Sequence, residues 1–583
     1  MKITKKIALT LSFLIVFSVS CKEDFLEVLP TASLSEAQLA SIKGMEGSLI
    51  GAYSILLGRD GFYSSSDNWF WGSVVGGEAN KGSDPGDQSG VNEIMQYNTQ
   101  TTNGEVNLKY RVSYEGVARS NAVLKLGVLA EDVPDEAKVG IIAEARFLRG
   151  HYYFEMKKIF GDVPYVDETW DGVTPVANDK DLWPMIEADL DFAYKNLPET
   201  MSDPGRANKW AAAAYLAKAY VYQEKWSEAK VLFDAVIADG QTANGQKYGL
   251  VENYANIFRS TNDNHEESVF AIQASANTGT VQNANAGMVL NFPHGSSGPE
   301  RPGGCCGFFQ PTFDMANSFR TDANGLPLLD GSYNDGGNAL KNDFGMSSHD
   351  DPDTPDPYEP DAGNVDPRLD HSVGRRGIPY LDWGPHPGQF WIRSQPYAGP
   401  YSPKKFIYYK GGSGTENDIS GWTPGYTALN VSVIRYADVL LLAAETEAEL
   451  GNLEAARALV NQVRERAANS EYFVKTEGGD DAANYVIGTY DAAWTDKAAA
   501  IDAIRFERKL ELSGEGQRFF DLVRWGIAEP TLNAFLANER SNNPGSSMYQ
   551  GAKFDTNKDE YQPIPQNEID LQGTEVLKQN PGY

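Results

Sequence analysis

Apolar residues recur at spacings of three and four along residues 141–159, the pattern of a helix with one face packed against a core. The positions are Ile141, Ala145, Leu148, Tyr152, Met156 and Ile159. The pattern ends at Gly161-Asp162-Val163-Pro164, where glycine and proline are typical helix-stop signals. The spacing therefore predicts a helix of about five turns.

Two further segments have the pattern of helical hairpins. Residues 208–237 place small and large apolar side chains at the offsets of a tetratricopeptide repeat, and residues 434–463 repeat the arrangement around a turn at Gly451. In such a repeat, small residues let two helices approach closely while large residues fill the groove between them. A pair of generic helical hairpins is the alternative interpretation, and it predicts much the same architecture.

The chain between the hairpins has a different character. Residues 274–433 are rich in Gly, Pro, Asn and Asp without a sustained helical period, and residues 59–103 are similar but shorter. Loops this long are usually functional. We therefore expect a mostly α fold, a scaffold of tetratricopeptide-like hairpins with long loop-rich insertions on one face. The expected parts are a signal peptide at 1–20, a helical part at 21–273, a ligand-binding insertion at 274–433 and a helical part at 434–583.

Composition excludes several classes of protein. The chain carries 80 Asp and Glu against 50 Lys and Arg, a net charge of −30 that repels nucleic-acid phosphates. Hydrophobic residues make up 41% of the chain, which is ample for a core and argues against disorder. Three cysteines are too few for a dense disulfide framework.

The first residues have the form of an export signal. Three lysines precede an apolar run over 7–19, which is too short to span a bilayer as a helix. Ser18-Val19-Ser20-Cys21 then resembles the lipobox of bacterial lipoproteins, with Ser18 where Leu is usual, and Lys22-Glu23-Asp24 is similar to the acidic tag of surface-exposed Bacteroidetes lipoproteins. We expect Cys21 to be lipidated and to anchor the protein at the cell surface. An ordinary signal-peptide cysteine is the alternative.

Motifs along the whole chain resemble those of the SusD/RagB family of nutrient-binding outer-membrane lipoproteins, in the family's order. They include Ala143-Glu144-Ala145-Arg146-Phe147-Leu148-Arg149, Asp366-Pro367-Arg368-Leu369, Ile434-Arg435-Tyr436-Ala437-Asp438, Glu507-Arg508-Lys509-Leu510-Glu511-Leu512, Asp521-Leu522-Val523-Arg524-Trp525 and Gln579-Asn580-Pro581-Gly582-Tyr583. The resemblance implies a protein that binds oligosaccharide and delivers it to a TonB-dependent transporter of the SusC type, on which it acts as a lid. Capture of peptides, as in RagB-like members, and a purely structural lid are the alternatives.

The charged motifs are also interpretable as structure. Acids and bases interleave between residues 499 and 524, which predicts helix-surface pairs in which Glu507 and Glu511 lie opposite Arg508 and Arg518. We expect these residues to fix loops and helix ends and to have no catalytic role.

No enzymatic motif stands out. His265-Glu266-Glu267-Ser268 lacks the second histidine that a zinc site on one helix face requires, and no nucleophile elbow, phosphate-binding loop or Cys-x-x-Cys pair is present. We expect a binding protein without a cofactor. The acidic stretch at 350–366 has oxygen ligands suited to Ca²⁺, but its spacing is not that of a calcium loop and its prolines fit a solvated loop.

A sugar site needs flat aromatic faces and polar groups that hydrogen-bond hydroxyls. The candidates in the two loop segments are Trp69, Trp71, Asp84, Arg301, Trp383 and Trp391, with Phe308, Phe309, Trp422 and Tyr426 as further aromatics. In Trp69-Phe70-Trp71, neighbouring side chains point to different sides, so only part of this set can face a ligand. We expect Trp69 or Trp71, together with Trp383 or Trp391, to stack on the sugar.

Cys305 and Cys306 are adjacent within Gly303-Gly304-Cys305-Cys306-Gly307. In an exported protein the pair predicts either a vicinal disulfide, a rigid flat loop that stacks on a ligand, or two buried thiols.

Overall fold

The computed structural model describes residues 36–295, 300–348, 351 and 355–583. The signal peptide, Cys21 and part of the acidic stretch at 350–366 lie outside the described residues, so the expectations placed on them stay predictions. Within the described ranges, no helix is long and apolar enough to cross a membrane.

Helices dominate the described chain. In chain order they are α1 (Glu36–Leu39), α2 (Ile42–Tyr53), α3 (Asn92–Met95), α4 (Gly104–Leu129), α5 (Asp135–Phe160), α6 (Trp183–Asn196), α7 (Lys209–Val221), α8 (Trp226–Asp239), α9 (Phe313–Ser318), α10 (Leu369–Ser372), α11 (Gln395–Ala398), α12 (Tyr436–Glu449), α13 (Leu453–Ala467), α14 (Lys497–Glu511), α15 (Arg518–Arg524), α16 (Ala528–Asn542) and α17 (Gln566–Gln572). The strands are β1 (Ala79–Gly82), β2 (Ser268–Ile272), β3 (Phe308–Pro311), β4 (Val373–Gly374), β5 (Ser402–Pro403) and β6 (Val431–Arg435).

The hydrophobic periodicity predicted the main helices, and the mostly α fold is confirmed. The segment 141–159 lies within α5, the hairpin at 208–237 is α7 and α8, and the hairpin at 434–463 is α12 and α13. Ile434 is an exception because it lies in strand β6 instead of opening a helix. Asn208 explains why α7 begins where it does, since its side chain accepts a hydrogen bond from the Ala211 amide as an N-cap.

The helices form one continuous stack. Each of α4 to α8 packs against the next, α8 packs against α12, and α12 packs against α13 and α14. Close approach depends on small residues, since a Cβ atom on Gly116 of α4 would lie 2.5 Å from the Tyr152 ring of α5. The two hairpin groups, more than two hundred residues apart in sequence, therefore share one core.

Two short ladders attach the loop-rich segments to this stack. Antiparallel β2 and β6 pair Ile272 with Val431, so the insertion leaves and rejoins the scaffold at adjacent strands. Antiparallel β1 and β3 pair Asn80 with Gln310, which joins the first loop segment to the second. The two segments therefore lie side by side, although the division of the chain into four parts stays a prediction.

The charged family motifs meet inside the protein. Glu507 accepts hydrogen bonds from Arg368 at 2.6 Å and from Arg464 at 2.7 Å, and all three side chains are buried. Arg508 pairs with Asp438 at 2.7 Å and Asp521 at 3.0 Å. The expectation of helix-surface pairs was wrong, because residues distant in sequence supply the partners and cover the charges. The pairing is structural, as expected.

Candidate ligand-binding site

Three of the predicted tryptophans belong to the core. Trp69, Trp71 and Trp391 are 1%, 2% and 1% exposed. Trp69 Nε1 donates to the Gly287 carbonyl at 2.9 Å, and Trp71 Nε1 donates to the Tyr63 carbonyl at 2.6 Å. Since burial of an indole removes a large apolar area from water, these rings stabilise the fold, and none has a face free to stack on a ligand.

A buried lysine, Lys81, hydrogen-bonds to the loop that carries Asp84. Lys81 Nζ donates to the Asp84 carbonyl at 2.7 Å and to the Asp87 carbonyl at 2.5 Å. Burial lowers the pKa of Lys81 to about 8, although the nearby carboxylates of Asp87 and Asp84 oppose this shift. The carboxylate of Asp84 closes its own turn by accepting from the Gly86 amide at 2.8 Å. Asp84 is therefore presented in a fixed geometry at the surface.

Arg393 links this first loop to the second. Its Nη2 atom lies 2.7 Å from Asp84 Oδ2, and its Nη1 atom donates to Ser83 Oγ at 2.8 Å and to Asp87. Both the Arg393 and Asp84 side chains are about one-third exposed, at 33% and 34%. The pair is therefore open to solvent and to a ligand on one side.

His294 and Arg301 lie next to Arg393 and carry polar atoms without partners. A Cβ atom on Gly307 would lie 3.3 Å from Arg393 Cβ and 3.5 Å from His294 Cβ, which places His294 beside Arg393. Arg301 is close enough for its charge to act on His294. Burial and the positive charges of Arg301 and Arg393 lower the pKa of His294, so its ring is neutral. Within the described chain, His294 Nδ1 and Arg301 Nε are buried and make no hydrogen bond. Buried polar atoms without partners cost free energy, which a polar group of a ligand that reached them would offset.

Cys305 and Cys306 form a vicinal disulfide in the structure. The loop around them is fixed at Gly303, whose amide donates to Tyr408 Oη at 3.0 Å and whose carbonyl accepts from Thr423 Oγ1 at 2.6 Å. Cys305 is partly exposed and Cys306 is buried. The loop therefore presents one side to solvent beside Arg301.

Two tryptophans flank the disulfide loop. Trp422 precedes Thr423, is 60% exposed, and donates from Nε1 to Tyr426 Oη at 2.9 Å. Trp383 lies on the other side of Tyr408, to whose carbonyl its Nε1 donates at 3.0 Å, and it is half-buried. Hydrogen bonds thus orient both indoles, and Trp422 has the larger free face.

Together these residues form a surface that we call the disulfide face. It comprises Asp84, His294, Arg301, Cys305, Cys306, Arg393 and Trp422, with Trp383 at its edge. An exposed ring beside hydrogen-bonding groups suits a ligand with apolar faces and many hydroxyls. Sequence reasoning missed Arg393 and His294, for which no local signal exists. Trp422 had one, because Gly421-Trp422-Thr423-Pro424-Gly425 is a turn sequence that projects its aromatic residue.

No metal centre is evident in the ranges that the structure describes, since no three His, Cys, Asp or Glu side chains there cluster suitably for one. Two acids of the acidic stretch at 350–366 are already paired, Asp361 with Arg320 at 2.9 Å and Asp366 with Arg368 at 2.8 Å. Calcium binding by the rest of that stretch stays the alternative to the expectation of no metal.

A stacked helical-hairpin scaffold with a loop-built face defines a class of binding proteins. The chain belongs to the SusD family: the SusD family model matches residues 266–583, more than half of the chain. A second family model, described as starch-binding associating with outer membrane, matches residues 24–221. The resemblance seen in the sequence motifs is thereby confirmed.

Relatives cover nearly the whole chain. SusD-like protein P25 of Formosa agariphila is 26% identical over 542 residues, which are 88% of this chain and 89% of that protein. A SusD-like protein of Bacteroides ovatus is 32% identical, but over only 24% of this chain and 27% of its own.

Solved structures share the fold. A SusD superfamily protein from Bacteroides vulgatus matches 94% of this chain and 100% of its own with a TM-score of 0.65 at 23% identity. Surface glycan-binding protein A from Bacteroides thetaiotaomicron, in complex with laminarihexaose, matches 92% of this chain and 99% of its own with a TM-score of 0.64 at 20% identity. At these identities the likeness concerns the architecture.

Proposed function

We propose that the protein captures a neutral oligosaccharide on the disulfide face and delivers it to a TonB-dependent transporter of the SusC type, without catalysis. The observation that carries the proposal is the 60% exposed Trp422 ring, oriented by Tyr426 beside the Cys305–Cys306 loop. A ring held in place in this way stacks on a pyranose with little loss of side-chain entropy.

The polar groups of the face fit hydroxyls better than charges. Arg393 and Lys81 together offset the charges of Asp84 and Asp87, while His294 Nδ1 and Arg301 Nε have no hydrogen-bond partner among the described residues. The whole chain carries a net charge of −30, which repels anionic polysaccharides over long range. Two of the similar proteins support a glycan ligand by their descriptions, one as laminarin-binding and one with bound laminarihexaose.

Affinity gels test the ligand class. Wild-type protein is run through native gels that contain laminarin, starch, xylan or galactomannan, beside Trp422→Ala and Trp494→Ala. Trp494 is a matched control because it lies outside the disulfide face, packed on Tyr490. We expect retardation by at least one polysaccharide, a loss of about tenfold in affinity for Trp422→Ala, and no change for Trp494→Ala. Absence of retardation by every glycan, with heat released on titration of peptides, would favour peptide capture instead.

Delivery to a transporter and lipid anchoring extend the proposal to the cell surface. They rest on the family membership and on the lipobox-like sequence at Cys21. A Cys21→Ala variant should not incorporate labelled palmitate. It should leave the membrane fraction, because without acyl chains the protein loses its lipid anchor. Wild-type protein purified from outer membranes in mild detergent should carry a SusC-like barrel protein with it. Purification without such a partner would contradict the delivery role.

A further inference from the structure

In the part of the chain that the structure describes, helix α4 has one long face whose residues are exposed or half-buried. Its residues at Asn107, Arg111, Ala118, Ala122 and Lys125 are spaced by three, four or seven positions and are exposed or half-buried. From Gly104 to Lys125 this face runs for about 30 Å, at 1.5 Å per residue. The small side chains of Ala118 and Ala122 leave a channel instead of a ridge along the second half of this face.

Two cavities follow this face and meet at Arg111. The first, of about 420 Å³, is lined by Tyr63, Gln88 and Asn107 and lies at the start of the helix. The second, of about 690 Å³, is lined by Ala118 and extends to the loop that follows α5. Both have Arg111 in their walls. We call these two adjoining cavities together the α4 groove.

The groove begins at the proposed ligand site. Gln88 in its wall directly follows Asp87, which is bound to Arg393 of the disulfide face. A polymer held at that face can therefore continue along α4 without crossing the scaffold.

The far end of the groove carries an aromatic platform. Trp170 lines the larger cavity and is 45% exposed. Its Nε1 atom donates to the Thr174 carbonyl at 2.8 Å, and the turn is closed by Asp171 Oδ1, which accepts from the Val173 amide at 2.9 Å. The Trp170 ring is therefore oriented before any ligand binds, as the Trp422 ring is.

The near end of the groove carries polar atoms that lack partners. Tyr63 is only 3% exposed, and neither its hydroxyl nor Asn107 Oδ1 has a hydrogen-bond partner among the described residues. Both residues line the smaller cavity. A buried phenol and amide oxygen without partners cost free energy, and a ligand hydroxyl would satisfy them.

The charges in the groove disfavour an anionic ligand. Asp167 and Glu568 line the larger cavity and have no ion-pair partner among the residues that the structure describes. Lys125, by contrast, is already paired with Glu36 at 2.8 Å. A neutral chain with hydroxyls and apolar ring faces fits this lining.

We propose that the α4 groove is a second binding site, which holds the extended part of a long neutral polysaccharide and stacks one of its sugar rings on Trp170. The inference rests on the proposed glycan function. It implies that the protein binds polymers more tightly than short oligosaccharides. The disulfide face alone holds a short ligand, whereas a polymer contacts both sites and gains affinity by the higher local concentration of its second segment.

Two variants separate the sites. Trp170→Ala removes the platform, and Ala118→Arg fills the channel at an exposed helix position where the backbone is unaffected. Each is compared with wild type, Trp422→Ala and the control Trp494→Ala. The ligands are the polysaccharide that retards wild type most strongly among laminarin, starch, xylan and galactomannan, and the hexasaccharides made from it by partial hydrolysis.

We expect both groove variants to bind the polymer about tenfold more weakly and the hexasaccharide with unchanged affinity, whereas Trp422→Ala weakens both. Unchanged polymer binding by both groove variants would overturn the second site while leaving the disulfide face intact. Absence of retardation of wild type by all four polysaccharides would overturn the glycan function and the second site together. A fall in sedimentation coefficient on Ala118→Arg would assign the groove to a second copy of the chain and overturn the proposal.

Discussion

Arg435 Nη1 lies 2.6 Å from Glu511 Oε1, with both side chains removed from solvent in the centre of the protein. Arg435 ends the strand that leads into α12, and Glu511 ends α14. Glu511 also accepts from Arg368 at 2.9 Å and from Arg466. One carboxylate on α14 thus ties the insertion, through Arg368, to strand β6 and helix α13.

Removal of this carboxylate charge should destabilise the protein strongly. Glu511→Gln leaves three buried guanidinium groups without their shared partner, and the expected cost is about 3–5 kcal/mol in the free energy of unfolding. The measurement is the urea midpoint followed by circular dichroism. The matched control is Glu454→Gln, whose solvent-exposed pair with Arg457 should leave the urea midpoint nearly unchanged. Equal midpoints for the two variants would contradict a central role for the network.

The same network should make the protein sensitive to acid. Burial alone would raise the pKa of Glu511, but Arg466, Arg435 and Arg368 together hold it well below the ordinary value of 4.5. A carboxylate whose pKa is depressed on folding stabilises fully above its unfolded pKa, and this contribution is lost as the pH falls towards the folded pKa. Wild type should therefore lose stability below about pH 4.5, and Glu511→Gln should lose less over the same range.

Glu539 should have the opposite pH dependence. Burial raises its pKa to about 8, although the Asp314 amide, which donates to it at 2.9 Å, opposes the shift. An acid whose pKa is raised on folding destabilises increasingly from its unfolded pKa up to its folded pKa. Relative to wild type, Glu539→Gln should gain stability between pH 5 and pH 8, as followed by the unfolding midpoint. A constant difference across that range would contradict ionisation of Glu539 as the cause.

The disulfide at Cys305 and Cys306 is directly measurable. Alkylation of the folded or denatured mature protein without reductant should leave both residues unmodified, whereas reduction first should allow two additions by mass spectrometry. A Cys305→Ser, Cys306→Ser double variant should bind glycan more weakly, because the loop between Arg301 and Trp422 loses its constraint. Two reactive thiols in the unreduced protein would show that the residues are free.

Arg393 should matter for binding more than for stability. Its ion pairs with Asp84 and Asp87 are about one-third exposed, so Arg393→Ala should change the unfolding free energy by about 1 kcal/mol or less. Glycan affinity should fall about tenfold, because the two loops that form the face are no longer joined and a hydrogen-bond donor is lost. Lys475→Ala, which removes a comparably exposed loop ion pair with Asp481, is the control for affinity.

The helical scaffold was predictable because periodicity is a local property. The repeated spacing over 434–463 predicts both α12 and α13 and the buried face of α13, although α12 is buried on every side. No local rule of this kind predicts whether an aromatic residue in a loop is buried or exposed. Trp69 and Trp71 stand in a continuous apolar run and became core, whereas Trp422 stands between glycines and proline and remained exposed.

The site itself depends on contacts between residues that lie hundreds of positions apart in the sequence. Arg393 joins Asp84, and Gly307 lies against both Arg393 and His294, so the disulfide face exists only after β1 and β3 have paired. Residue types predicted that polar and aromatic groups would be present there. Only the fold selects which of them meet.

The pairing of β2 with β6 has a further consequence for how such a protein can change. Since the insertion departs and returns at neighbouring positions, the paired strands hold its two ends together whatever the length of the chain between them. The chain entropy of closing a loop rises by only about 0.6 kcal/mol for each doubling of its length. Evolution can therefore lengthen, shorten or replace the insertion while the helical scaffold stays the same. The protein can acquire a new ligand in this way without a change of fold.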